Sequence, residues 1–244
     1  MRRKIFRIVS IVLVLVMLLS TQAGTVFALT SNTQVIDVDY ETPETVVAVE
    51  QQESQFILST KTASGKVNNF HISFPKDGGM RFCADESGIF KPDALTQITY
   101  SGEESHDGEK AVVMKANDTM VKLYHESTPW RIEVYNSDVK KVVQYDSKHI
   151  WMGYDDNQKL RKVKIASSIK ADETLFGLGE RFNGFVQNGK TIEMWNLDSL
   201  KQLSRDYGDH NVGYKNIPLL HSNKGFSVFH NNTYYGIVDV GESN

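Results

Sequence analysis

The sequence predicts an all-β protein, specifically an antiparallel β-sandwich, and three observations carry that expectation. Apolar and polar residues alternate with a period of two along many short segments. Turn-forming residues interrupt those segments at close intervals. No strand-helix-strand alternation of the kind that builds a parallel sheet occurs in the 244 residues. With 40% apolar and 23% charged residues, the chain has the composition of one large or two small globular domains.

Residues 1–28 read as a secretory signal peptide. Arg2, Arg3, Lys4 and Arg7 form a basic patch, Ile8 to Leu19 is almost wholly apolar, and Val26-Phe-Ala28 supplies small residues where a signal peptidase reads them. The apolar run is well short of the roughly 20 residues that span a bilayer, so no stable membrane insertion is expected after cleavage. The protein is therefore expected outside the cell, secreted or at its surface. Residues 1–28 hold four basic and no acidic groups, so without them the formal charge of −3 becomes −7. Binding to phosphate backbones needs clustered Lys and Arg. An acidic mature chain argues against nucleic acid as a partner.

Residues 29–55 are rich in Thr, Val, Glu and Gln, with Pro43 in the middle, and read as a linker leading into a first strand. Residues 56–244 form the sandwich proper. Phe70, Ile72 and Phe74 alternate with His71 and Ser73, Trp130, Ile132 and Val134 with Arg131 and Glu133, and Val163 and Ile165 with Lys162 and Lys164. Each pattern is that of a half-buried antiparallel strand. Turns are predicted at Lys76–Gly79, Ser101–Gly102, His106–Gly108, Asn117–Asp118, Asn136–Asp138 and Asp155–Asn157. Only Leu197 to Leu203 has the spacing of an amphipathic helix.

Candidate chemistry concentrates in the last third. In Phe176-Gly-Leu-Gly-Glu-Arg181, two glycines flank an apolar residue, which permits positive φ or close backbone approach. The adjacent Glu180 and Arg181 are expected to satisfy each other. The run lacks the third glycine and the strand-helix frame of a dinucleotide site. Trp195 and Asp198, with Asn196 between them, combine an aromatic face with an acceptor carboxylate. A pyranose offers a C–H face to the first and paired hydroxyls to the second. The same residue types also serve as core and as turn or cap.

Three segments in order, Glu173-Thr-Leu-Phe-Gly-Leu-Gly-Glu-Arg-Phe182, Thr191-Ile-Glu-Met-Trp-Asn-Leu-Asp198 and Tyr214-Lys-Asn-Ile-Pro218, resemble the amino-terminal domain of glycoside hydrolase family 31. Lys224–Phe229 and Asp239–Gly241 continue the likeness, and the Tyr-Lys-Asn-Ile-Pro form is most similar to the α-xylosidase branch. The resemblance implies a galactose-mutarotase-like sandwich and an α-linked oligosaccharide or glycoside as ligand. It also implies that Asp198 lies on a loop closing over the sugar site, with Trp195 as a second contact. Mutarotase activity is not expected, because the paired histidines and glutamate that it needs cannot be located.

Retaining hydrolysis needs two carboxyl groups roughly 5 Å apart. In the family both come from a (β/α)₈ barrel of about 250 residues, and neither that barrel nor its nucleophile motif is found in these 244 residues. The resemblance therefore implies the amino-terminal part of an α-xylosidase or α-glucosidase, lacking its last strands, inactive alone, and partnered by the barrel of the same polypeptide. No catalytic residue is assigned. The alternatives are a stand-alone secreted carbohydrate-binding module and a truncated reading frame without function.

The remaining polar residues suggest neither metal nor cofactor. Cys83 is the only cysteine, which excludes an internal disulfide and a thiolate zinc cluster. The seven histidines are dispersed, with none at His-x-x-x-His spacing. Asp206, Asp209 and His210 lie among Gly208, Asn211 and Gly213, as solvated loop residues do.

Overall fold

The computed structural model describes residues 25–30, 37–85, 95–181, 183–196, 215–231 and 235–242. It is built almost wholly of antiparallel strands. One sheet of four strands runs in the order β3 (Thr45–Gln51), β4 (Gln55–Lys61), β5 (Val67–Ser73) and β6 (Arg81–Asp85). A second, of five, runs from β11 (Lys141–Asp146) through β10 (Arg131–Tyr135), β9 (Thr119–Tyr124) and β8 (Glu109–Ala116) to β7 (Tyr100–His106). Consecutive strands are neighbours in both sheets, so hairpin turns set the register.

Two of those turns share one local chemistry. Asn136 accepts backbone N–H bonds from Asp138 and Lys140 at 3.1 and 3.0 Å. Asp155 does the same with Asn157 and Lys159 at 2.9 and 3.0 Å. In each, the residue three positions on (Val139, Gln158) takes a positive φ. A short side-chain acceptor at the first position thus closes both loops. Five of the six predicted turns fall between strands. The sixth does not: Ser101 and Gly102 lie inside β7.

The principal core lies among these two sheets and the strands β12 (Ile150–Tyr154) and β13 (Leu160–Ser167). Phe56, Leu58, Phe70 and Ile72 meet Met114, Val121, Leu123, Trp130 and Ile132, with Ile150 and Met152 completing the cluster. Phe70 stacks on Phe82 at 5.1 Å and tilts against Trp130 at 5.9 Å. Burial of apolar side chains, these rings among them, is the main stabilising term for a chain with a single cysteine. The expected one-sided burial of β5 is not observed, since His71 and Ser73 are as buried as their apolar neighbours. Glu133, also read as outward-facing, is buried and held by Arg131, Lys141 and the Tyr135 hydroxyl.

The segment expected as a linker leading into a first strand holds more than one strand. Besides β3, β2 (Asp39–Glu41) pairs with β12, and the Trp130 indole Nε1–H donates to the Pro43 carbonyl at 2.5 Å. Upstream, β1 (Thr25–Thr30) runs across the expected border at residue 28 between leader and mature chain.

The carboxy-terminal third forms a second unit with its own small core, joined to the rest through one shared sheet. A six-stranded sheet runs β15 (Thr191–Met194), β18 (Gly236–Asp239), β1, β13, β12, β2, and a three-stranded sheet runs β14 (Leu175–Gly177), β16 (Leu219–Ser222), β17 (Phe226–Phe229). Leu175, Leu178, Ile192, Leu220, Val238 and Val240 fill a separate small core. The helix expected at Leu197–Leu203 lies outside the described residues.

Candidate functional site

The three motif segments meet at one edge of this second unit. After β14 the backbone takes positive φ at Gly177, Leu178 and Gly179 in succession. That path lets Leu178 donate to the Leu219 carbonyl and Glu180 to the Lys215 carbonyl, each at 2.9 Å. Glycine is required sterically at both places. A Cβ on Gly177 would lie 2.4 Å from the Leu219 carbonyl oxygen, and one on Gly179 would lie 2.0 Å from that of Lys215. The glycines thus allow the Gly-Leu-Gly run to lie directly against the extended segment 215–219.

Glu180 and Arg181, expected to satisfy each other, diverge. Glu180 reaches Lys215 at 3.4 Å across the surface. Arg181 turns inward, where its Nε donates to the Leu178 carbonyl at 3.1 Å and its Nη2 to the Glu193 carbonyl at 3.1 Å and to Asn216 Oδ1. Burial draws its guanidinium down to about 10. Asn216 in turn donates its backbone N–H and its side-chain amide to Asn196 Oδ1, at 2.7 and 2.8 Å. One hydrogen-bond chain therefore links all three segments.

Trp195 projects beside that chain. It is 39% exposed, and its ring meets Tyr235 edge-on with centroids 6.0 Å apart. Burial, together with Glu193, raises the Tyr235 hydroxyl to about 12, so it is a hydrogen-bond donor throughout the physiological range. An exposed indole and an exposed amide, with a half-buried phenol beside them, suit a sugar's C–H face and hydroxyls. Asp198, the other residue assigned to sugar contact, lies outside the described residues, as do Asp206, Asp209 and His210.

Several neighbours escaped the sequence reading. On the outer face of β14 and β16, Phe176 stacks between Phe185 at 4.9 Å and His221 at 5.4 Å. His230, whose backbone N–H donates to the Pro218 carbonyl, is pushed down to about 4 by burial. It is therefore neutral at physiological pH. A groove of about 500 Å³ between β3 and β7, lined by Val46, Val49, Phe56, Ser101, Glu103 and His125, shares no residue with the motif edge. Among the described residues, no three His, Cys, Asp or Glu side chains gather as a metal site would need.

Comparison with known proteins identifies the family and the fold. The model of the glycosyl hydrolase 31 N-terminal galactose mutarotase-like domain matches residues 106–239. An α-xylosidase of Lactiplantibacillus pentosus is 29% identical over 110 residues, which is 45% of this chain and 14% of that protein. An α-xylosidase of Emericella nidulans is 40% identical over 63 residues, 26% of this chain and 7% of that protein. The chain thus spans only a small part of these relatives. Among solved structures, the cycloalternan-forming enzyme of Listeria monocytogenes, in complex with a pentasaccharide substrate, aligns with a TM-score of 0.66 at 17% identity. The alignment covers 83% of this chain and 20% of that one. A dextranase of Flavobacterium johnsoniae, complexed with isomaltotriose, aligns over 83% of this chain and 24% of its own, with a TM-score of 0.61 and 17% identity. At such identities the likeness is one of fold.

Proposed function

The chain belongs to glycosyl hydrolase family 31 through its N-terminal galactose mutarotase-like domain, and on that premise we propose that it is the sugar-facing domain of an exported α-glycoside hydrolase. Trp195 offers an aromatic face to the sugar ring, and Asn196 and Asp198 offer polar contacts beside it. The two carboxyl groups that break the bond belong to a barrel in the same polypeptide, so this domain shapes one wall of the site and performs no chemistry itself. The substrate is an α-xyloside or α-glucoside.

The observation that carries the reading is the Arg181–Asn216–Asn196 chain, which binds the three motifs into one edge and presents Trp195 there. Arg181 is a positioning residue. Its fixed fork of donors ties its own loop to the Glu193 carbonyl and to the Asn216 side chain at once, which a flexible ammonium would do less well. The α-xylosidase relatives support the substrate class. The leader anatomy of residues 1–28 supports export.

The test is an assay on aryl α-xyloside and α-glucoside, with the chain alone and with the polypeptide that joins it to its barrel. The chain alone is expected to release no more phenol than buffer. In the joined protein, Trp195→Ala is expected to raise KM severalfold with a smaller change in kcat, because it removes ground-state contact. Hydrolysis by the chain alone, or an unchanged KM in the variant, overturns the assignment.

A further inference from the structure

Strand β1 has a place in the fold that bears on where the leader ends. Thr25 to Thr30 pair with Ser167 to Lys162 of β13, and Phe27, Ala28 and Leu29 also pair with Val238, Ile237 and Gly236 of β18. It is thus an interior strand. In the six-stranded sheet, β1 alone joins β15 and β18 on one side to β13, β12 and β2 on the other. The first pair belongs to the unit that carries the motif edge, the second group to the strands beside the principal core.

Cleavage after Ala28 would remove four of the six β1 residues and two of the three that pair with β18. The backbone donors and acceptors of β13 and β18 that face β1 would then lose their partners. Unpaired backbone groups inside a sheet are strongly disfavoured, and an opened sheet edge invites pairing between chains. A second site avoids both consequences. Thr21-Gln-Ala23 also places small residues at the first and third positions before a cut, and lies only a few residues beyond the apolar run that ends at Leu19.

We propose that the leader is removed by hydrolysis of the Ala23–Gly24 bond, so that the exported protein begins at Gly24 and keeps β1 whole. Water adds across that bond under a signal peptidase, giving a carboxyl group on Ala23 and an amine on Gly24. The new amino terminus then sits one residue before the strand. The inference rests on the export reading above and adds to it the point of processing and the reason for it.

Mass measurement of the protein recovered outside cells expressing the full chain tests it directly. An amino terminus at Gly24 is the expected result. A terminus at Leu29 overturns the site while leaving export intact, whereas recovery only of chain beginning at Met1, inside the cells, overturns the export reading itself. A second measurement compares chains expressed from Gly24 and from Leu29 without leaders. Backbone amides of Lys162–Ser167 and Gly236–Val238 are expected to exchange at least tenfold faster in the shorter chain, with loss of a single cooperative unfolding transition. Equal exchange and equal melting in the two chains overturn the role given to β1.

Discussion

Asn196 and Asn216 lie 20 residues apart in sequence, and the first accepts both the backbone and the side-chain N–H of the second on a single oxygen. Asn196 follows the exposed Trp195, and Asn216 lies in the Lys-Asn-Ile-Pro segment against which the Gly-Leu-Gly run is laid. The pair therefore fixes the direction in which the chain leaves β15. It does so at the surface, where a hydrogen bond contributes only about 0.5–1.5 kcal/mol, because water competes for both partners.

Asn196→Ala should consequently act locally. Loss of about 1 kcal/mol corresponds to roughly fivefold faster amide exchange at Asn216, with the melting temperature nearly unchanged. Exchange measured by mass spectrometry or NMR checks this. An unaltered rate at Asn216 would mean that the side-chain bonds do not hold the segment.

The glycines predict a contrast that separates crowding from backbone conformation. Gly179 and Gly225 have similar positive φ, +93° and +82°, but only Gly179 faces backbone atoms within contact distance. Gly225→Ala should cost about 1–2 kcal/mol, the penalty of an L-residue in the left-handed region. Gly179→Ala should cost more than that, about 3 kcal/mol or above, because the Lys215–Ile217 backbone must also move. Denaturant melts of the two variants decide it, and equal losses would refute the close approach at Gly179.

What the sequence revealed depended on how local the determining physics was. The loops at Asn136 and Asp155 were legible because one side chain closes each within four residues. Ser101-Gly102 misled for the converse reason: Gly102 is not a turn but makes room for the Tyr100 ring, whose hydroxyl would stand 2.8 Å from a Cβ there. Burial of His71 and Glu133 depends on what covers the second face of each strand, which the strand's own alternation does not encode. Arg181 was placed beside Glu180 by adjacency, whereas two of its partners, Glu193 and Asn216, come from segments far along the chain. Trp195 stood out through its neighbours in the motif, but Tyr235, which its ring meets edge-on, is forty positions away and carried no signal.

Trp130→Phe tests whether the segment before β3 is anchored to the principal core. The indole N–H is the donor to the Pro43 carbonyl, and Pro43 is itself buried. Removing the donor leaves a buried acceptor unpaired, and the smaller ring leaves space beside Phe70. Together these should cost about 2–4 kcal/mol. A calorimetric melting temperature roughly 5–10 °C lower is the expected reading, together with faster exchange across β3. A variant that melts within a degree of the parent would show that the anchor contributes little.

Acid should weaken the fold in two separable steps. His230 is pushed by burial from an ordinary 6.5 to about 4, so between those values the unfolded chain binds a proton that the folded chain does not. Stability therefore falls as pH drops from about 6.5 to 4. Glu109 is held at about 2 by hydrogen bonds from Arg131, at 2.6 and 2.9 Å, and from Ser127, against an ordinary value of 4.5. Its contribution is present above about 4.5 and disappears as pH falls through 2, again because the unfolded state takes up the proton first. His230→Gln should flatten the melting temperature between pH 6.5 and 4 and leave the lower limb unchanged. Glu109→Gln should lower the melting temperature at pH 6 yet converge with the parent as pH falls below about 2, where the parent's carboxylate is protonated as well. Melting curves at half-unit intervals distinguish the two. If His230→Gln keeps the full slope above pH 4, the buried imidazole is not the group that takes up the proton.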